Sequence, residues 1–327
     1  MRIFLMYEQF AGIFIHIIQI PHLREQNRRY KTMKKILCVV LAAAMVFAFA
    51  ACGKQASGDE FVPVSAGKFT VAISPDFAPM EFVDISKSGQ DQYVGFDVSL
   101  AKFLADELGL ELVIKPMDFG ACQAAVQSKS VDCSISGFSV TDERKENFNL
   151  SDFYYAEDEE DANETQQSII VVKEKEGQFT KAEDFAGLTI GAQAASLQYN
   201  LVTSQLPSDV EVKQFTDLGT AVIALVEGKI DALAVAHGNG ESIMVNNDNV
   251  AFSGFDFEVD EEQSNNVVLI NKENNALLEL INKALAKALD AGYYPKWYTA
   301  AKVLAGTDTA HDVVYDENGN VVEVLDK

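Results

Sequence analysis

VGFDVSLAKFLADELGLELVIK, Val94 to Lys115, contains a switch between two periodicities. Val98, Ala101, Leu104 and Leu108 recur at helical spacing, so Asp97 to Leu108 reads as an amphipathic helix. Gly109 stands where a left-handed residue would stop it. Glu111 to Lys115 then reads as a strand. Upstream, Lys68 to Ser74 alternates, with Phe69, Val71 and Ile73 on one face. Strand, helix and strand of this length make a βαβ unit, whose strands must pair in parallel.

Outward from this unit the pattern recurs. Gln123 to Gln127 reads as a helix and Val131 to Ser136 as a strand. Leu188 to Gln193 is a further strand, Leu218 to Glu227 a helix and Ile230 to Ala236 a strand. AAVQSKSVDCSIS from Ala124 and IALVEGKIDALAV from Ile223 share one plan, helix, turn and buried strand, each with an Asp leading into the strand. The expectation is an α/β protein of two similar lobes, each a mostly parallel sheet flanked by helices. Two strand-like runs, Gln167 to Lys173 and Asn266 to Asn271, are candidates for the crossings between lobes. Each follows an acidic, polar stretch, Glu157 to Glu164 and Glu258 to Gln263. Ala276 to Leu289 reads as a helix returning to the first lobe on an apolar face of Leu277, Leu280, Ile281, Ala284, Leu285 and Ala288. Val313 to Tyr315 and Val321-Val322 flank an Asn318-Gly319 turn, the mark of a terminal hairpin. The expected organisation is residues 68–168 and 266–305 in lobe 1, 169–265 in lobe 2 and 306–327 as a tail.

The N-terminus has a different logic. Met33-Lys34-Lys35 precedes sixteen apolar residues, Ile36 to Ala51, and then Cys52-Gly53-Lys54. A basic start, a short apolar run and small residues before a cleavage point describe an export signal. The run is short for a transmembrane helix, which needs about 20 residues. FAACG, Phe49 to Gly53, resembles a bacterial lipobox, which implies cleavage before Cys52 and its lipidation. Residues 1–51 are therefore expected to be signal, with translation starting at Met33, and 52–67 a lipidated tether.

The chain has 327 residues, roughly two domains' worth, with a normal apolar content of 48%. Removing residues 1–51 leaves 19 basic and 47 acidic side chains, a net charge of −28. Such a surface repels nucleic acid and anionic headgroups, so membrane attachment is expected from lipid rather than from charge. Cys38 would leave with the signal. Cys122 and Cys133 remain, as a disulfide or as two buried thiols. No spacing of Cys and His marks a metal site, and no cofactor motif is present.

Phe69 to about Gly306 resembles the family 3 extracellular solute-binding proteins, the polar amino-acid receptors of bacterial ABC importers. The resemblance rests on SPDFAPMEFV (Ser74 to Val83), VGFDVSLAKFLADELG, SKSVDCSISGFSVTDERKENFNLSDFYY (Ser128 to Tyr155) and LTIGAQAAS (Leu188 to Ser196), in that order. It implies a periplasmic-binding-protein-like fold with two hinge crossings and a small polar, amino-acid-like ligand between the lobes. It also implies ABC permease subunits as partners, and a binding rather than an enzymatic role.

By the same resemblance, Arg144 clamps the ligand carboxylate with a planar fork of donors, assisted by Gly137 and Ser139. Phe77 and Phe119 sandwich the ligand. Ser196 stands where the family presents helix-start N–H groups, after Ala195 in place of the usual Gly. The family's ammonium-binding Asp falls at Ala236, so the missing charge is expected from Asp76 or Glu241, or else the ligand is not an ordinary α-amino acid. His237 and Glu241 are the residues that would suit the other readings, a dehydratase-like exported enzyme above all. A ligand sensor for a signalling partner is the third class.

Overall fold

The computed structural model describes residues 60–154 and 166–327. The signal segment, Cys52 and the acidic stretch Glu157 to Glu164 lie outside the described residues. Among the described residues no helix is long and apolar enough to cross a membrane.

The first lobe starts with β1 (Lys68–Ile73), then a small antiparallel sheet of β2 (Asp76–Phe77), β3 (Glu81–Val83) and β4 (Tyr93–Val94). Helix α1 (Phe96–Leu108) leads into β5 (Glu111–Pro116), which pairs in parallel with β1 from Lys68↔Glu111 to Ile73↔Pro116. Gly109 ends α1 with φ 67° and its N–H on Ala105 O and Asp106 O, as the sequence leads one to expect. Helix α2 (Phe119–Gln127), β6 (Cys133–Ser134), the short α3 (Asp142–Asn147) and β7 (Phe148–Leu150) follow.

The second lobe comprises β8 (Gln167–Val172), β9 (Thr189–Gln193), α4 (Leu197–Gln205), β10 (Glu211–Phe215), α5 (Leu218–Val226), β11 (Ala232–Ala236), α6 (His237–Asn246) and β12 (Val250–Phe257). The chain then re-enters the first sheet as β13 (Leu269–Asn271) and covers it with α7 (Asn275–Asp290) and α8 (Tyr293–Ala305). A hairpin of β14 (His311–Tyr315) and β15 (Val321–Asp326) ends it.

The strand orders are β5-β1-β6-β13-β7 and β10-β9-β11-β8-β12, one topology used twice. In each sheet the first three strands are parallel and the last two antiparallel to their neighbours. The sheets are thus mixed, where mostly parallel ones were expected. The runs at 167–173 and 266–271 are not crossings. β8 pairs inside the second sheet and β13 inside the first, so the chain changes lobes before each. A buried strand must be apolar on both faces whichever way it runs, so its composition carries no direction.

The shared Asp before β6 and β11 has a physical role. Asp132 accepts from Thr70 N and Thr70 Oγ1 on β1, at 2.7 and 2.6 Å. Asp231 accepts from Thr189 N on β9, at 3.0 Å. Each carboxylate ties the start of one central strand to the next, which is why both half-repeats carry it.

The core of the first lobe closes around Phe96, which meets Tyr154, Tyr294, Trp297 and Tyr298 at centroid distances of 5.9 to 6.4 Å. Leu277, Ile281, Ala284, Leu285 and Ala288 of α7 are buried there, whereas Leu280 is exposed and drops out of the expected face. The end of the tether already belongs to this lobe: Phe61 packs on the core and Val64 N donates to Asp132 Oδ1 at 2.7 Å. Cys122 and Cys133 are buried free thiols, with burial pushing the Cys122 thiol up to about 12. The hairpin, α1 and α8 enclose a cavity of about 640 Å³ beside Lys102, away from the ends of β1, β6, β9 and β11.

Candidate ligand-binding site

Ligands of open α/β sheets bind beyond the carboxyl ends of parallel strands. Here β1, β6, β9 and β11 end around one cleft. They deliver Ser74 to Phe77, Ser136 to Thr141, Ala194 to Ser196 and Ala236 to Asn239. Two small cavities of about 20 and 50 Å³ run along it, both lined by Phe77, Gly137, Ser139 and Gln198.

Arg144 lies at the first. The sequence around it is charged, yet its side chain is 3% exposed. Thr141 caps α3 by accepting from Arg144 N at 3.2 Å, which turns the arginine inward. The guanidinium packs over Phe119 and Phe138, 5.4 and 5.0 Å from their centroids. Nη1 donates to Ser139 O at 2.7 Å, and Nη2 reaches across the cleft to Ala195 O at 3.0 Å. Burial lowers its pKa to about 10, which still leaves a cation at neutral pH. Among the described residues no carboxylate pairs with it. A buried cation whose partners are neutral carbonyls is a ready receptor for an anion.

Gly137 adopts φ 54°, and a Cβ there would meet Phe77 Cε1 at 2.8 Å. Glycine thus lets the Phe77 ring lie against the turn. Ala195 takes φ 61°, a conformation glycine would hold with less strain. Its carbonyl receives both Arg144 Nη2 and, at 3.2 Å, Gln123 Nε2. Ser196 is the N-cap of α4: its hydroxyl accepts from Tyr199 N at 3.1 Å and donates to Gln193 O at 2.7 Å, so it is engaged within its own lobe.

The two expected acids lie elsewhere. Asp76 Oδ2 accepts from Leu218 N at 2.8 Å and Gln193 Nε2 at 3.1 Å, while Oδ1 accepts from Ser74 Oγ at 2.9 Å. It acts as a cap on α5 supplied from the opposite lobe. Burial raises its pKa. Glu241 is exposed on α6, 3.9 Å from His237 Nε2. His237 stacks on Phe252 and shares a 3.0 Å hydrogen bond with Ser168 Oγ. Neither lines the two cavities.

Several residues at the cleft had no sequence signal. Asn239, 3% exposed, donates Nδ2 to Ala78 O at 3.1 Å across the lobes. Its Oδ1 is buried without a hydrogen-bond partner. Gln198 Nε2 donates to Gln167 Oε1 at 2.6 Å. Beneath the Ser136-Gly137 turn lie two fully buried carboxyls. Glu81 Oε1 accepts from Ser136 Oγ, and Asp97 Oδ2 accepts from Gly137 N at 2.7 Å and Tyr154 OH at 3.1 Å. Glu81 Oε2 and Asp97 Oδ1 lack donors. Burial raises both groups, Asp97 to about 7 and Glu81 further, with each other's charge adding to the effect on Glu81. One shared proton supplies the missing donor: Glu81 protonated, Asp97 ionised.

Comparison with known proteins agrees with this architecture. Residues 69–300 match the family model of the bacterial extracellular solute-binding proteins, family 3. The arginine-binding extracellular protein ArtP of Bacillus subtilis is 31% identical over 276 residues, 83% of this chain and 100% of that protein. A probable histidine-binding protein of Campylobacter jejuni is 25% identical over 264 residues, 80% of this chain and 96% of that protein. Among solved structures, the amino acid ABC transporter substrate-binding protein AbpA of Streptococcus pneumoniae, bound to L-arginine, superposes with a TM-score of 0.66 at 31% identity. It covers 73% of this chain and 96% of that one. The chain therefore belongs to the family 3 bacterial extracellular solute-binding proteins.

Proposed function

We propose that this protein is the extracytoplasmic receptor of an ABC importer, held to the membrane by lipid on Cys52. It captures a small amino-acid-like carboxylate between its lobes and does not transform it. The observation that carries this reading is Arg144, a buried cation at the cleft whose hydrogen bonds go to neutral carbonyls. The strand-end cleft and the double passage of the chain between sheets support closure about a hinge, with the closed form presented to the permease. The placement of His237 against Phe252 and of Glu241 in solvent supports binding over catalysis.

A cognate carboxylate at a hundredfold excess over its dissociation constant should stabilise the protein by about 2.7 kcal/mol. Thermal unfolding against a panel of amino acids and their derivatives measures this. A flat response across all carboxylates would remove the receptor reading. The anchor has its own test. Cys52→Ser should release the protein from the membrane fraction, and a variant that remains there at full length would refute lipidation.

A further inference from the structure

The charges along the cleft are unequal. At one end stands the Arg144 guanidinium, with no acid among its hydrogen-bond partners. No Asp or Glu is among the described residues that line either cavity. The acids nearby are engaged. Asp76 holds the start of α5 and Gln193, Glu241 faces solvent, and Glu81 and Asp97 lie under the turn, bound to Ser136, Gly137 and Tyr154.

A carboxylate arriving at Arg144 would balance that cation. A second positive charge on the ligand would then be enclosed among Phe77, Tyr298 and amide groups, with no counter-charge. An unpaired ion in a closed, water-poor site is strongly disfavoured. The second cavity offers instead the orphaned Oδ1 of Asn239, a buried neutral acceptor. A neutral N–H satisfies such an oxygen without bringing charge.

Resting on the carboxylate-receptor reading, we infer that the ligand is a net anion: a carboxylate whose neighbouring nitrogen is acylated or otherwise uncharged, and not a zwitterionic α-amino acid. Its carboxylate binds Arg144, its uncharged N–H meets Asn239 Oδ1, and its body lies on Phe77.

The test is calorimetry of the full chain with matched pairs: glutamine and N-acetylglutamine, histidine and N-acetylhistidine, arginine and Nα-acetylarginine. In at least one pair the acetylated member should bind tenfold or more tightly than its parent. Ala236→Asp places a carboxylate in the same cavity, at the N-cap of α6, and should reverse that preference. Free amino acids binding as tightly as their acetylated partners, with affinity lost in Arg144→Gln, would overturn the inference and leave the receptor reading standing. Binding of no member of any pair would overturn both.

Discussion

Arg144→Ala should weaken ligand binding by about 2–5 kcal/mol, roughly 30-fold to several thousandfold. Truncation removes the cation that meets the ligand carboxylate, and the loss falls in a site where solvent cannot substitute for it. It also removes the Nη2 bond to Ala195 O, one of the direct ties between the lobes. Two controls separate binding from folding. Arg144→Lys keeps the charge but offers a single point of donation in place of a fork, so its affinity should fall between wild type and alanine. Denaturant unfolding reports any loss from the space opened between Phe119 and Phe138, whose rings the guanidinium covers. Equal affinity of wild type and Arg144→Ala by calorimetry would place the ligand elsewhere.

The second large effect concerns the Glu81–Asp97 pair and is read in pH. Both groups hold protons more tightly folded than unfolded, where Asp stands at 3.8 and Glu at 4.5. Between those values and about 7, the folded state of Asp97 alone binds more protons than the unfolded state. The pair's contribution to stability is therefore complete at low pH and is lost as pH rises through the folded value. From pH 5 to pH 8 the loss is on the order of 3 kcal/mol. Glu81→Gln replaces the shared proton with a permanent amide donor to Asp97 Oδ1 and retains an acceptor for Ser136. Its stability should be much flatter across the same range. Parallel curves for wild type and variant in denaturant titrations at pH 5, 6, 7 and 8 would show that the pair does not share a proton.

The parallel half of each sheet is legible because it is built from changes of period. A helical stripe at Val98, Ala101 and Leu104 followed by extended residues from Glu111 admits few alternatives, and the Asp before β6 and β11 marks the same junction twice. The antiparallel half is not legible. Ser168 to Val172 and Val267 to Ile270 are apolar throughout, and neighbours far along the chain decide which way they run. Arg144 itself is identifiable from its setting, but its burial is not, because DERKEN is a hexapeptide of surface composition. What buries it are Phe119 and Phe138, brought together by separate elements. Asp97 was concealed by plausibility: an acid in the first turn of a helix is already favoured by the helix dipole, so nothing marked it as half of a carboxyl pair. Asn239 depends on Ala78, in the other lobe, and no local pattern encodes a partner so remote.

The position of β13 constrains the order in which the lobes are completed. It lies between β6 and β7, so the first sheet stays in two pieces until residues 269–271 arrive, although all its other strands precede residue 151. The second sheet has no such gap, since β8 to β12 are contiguous in the chain. A polypeptide emerging N-terminus first, from a ribosome or a translocation channel, therefore finishes its later lobe before its earlier one. Meanwhile the open flank of β6, with unpaired backbone groups and apolar neighbours, is the part of the nascent chain most exposed to wrong pairing.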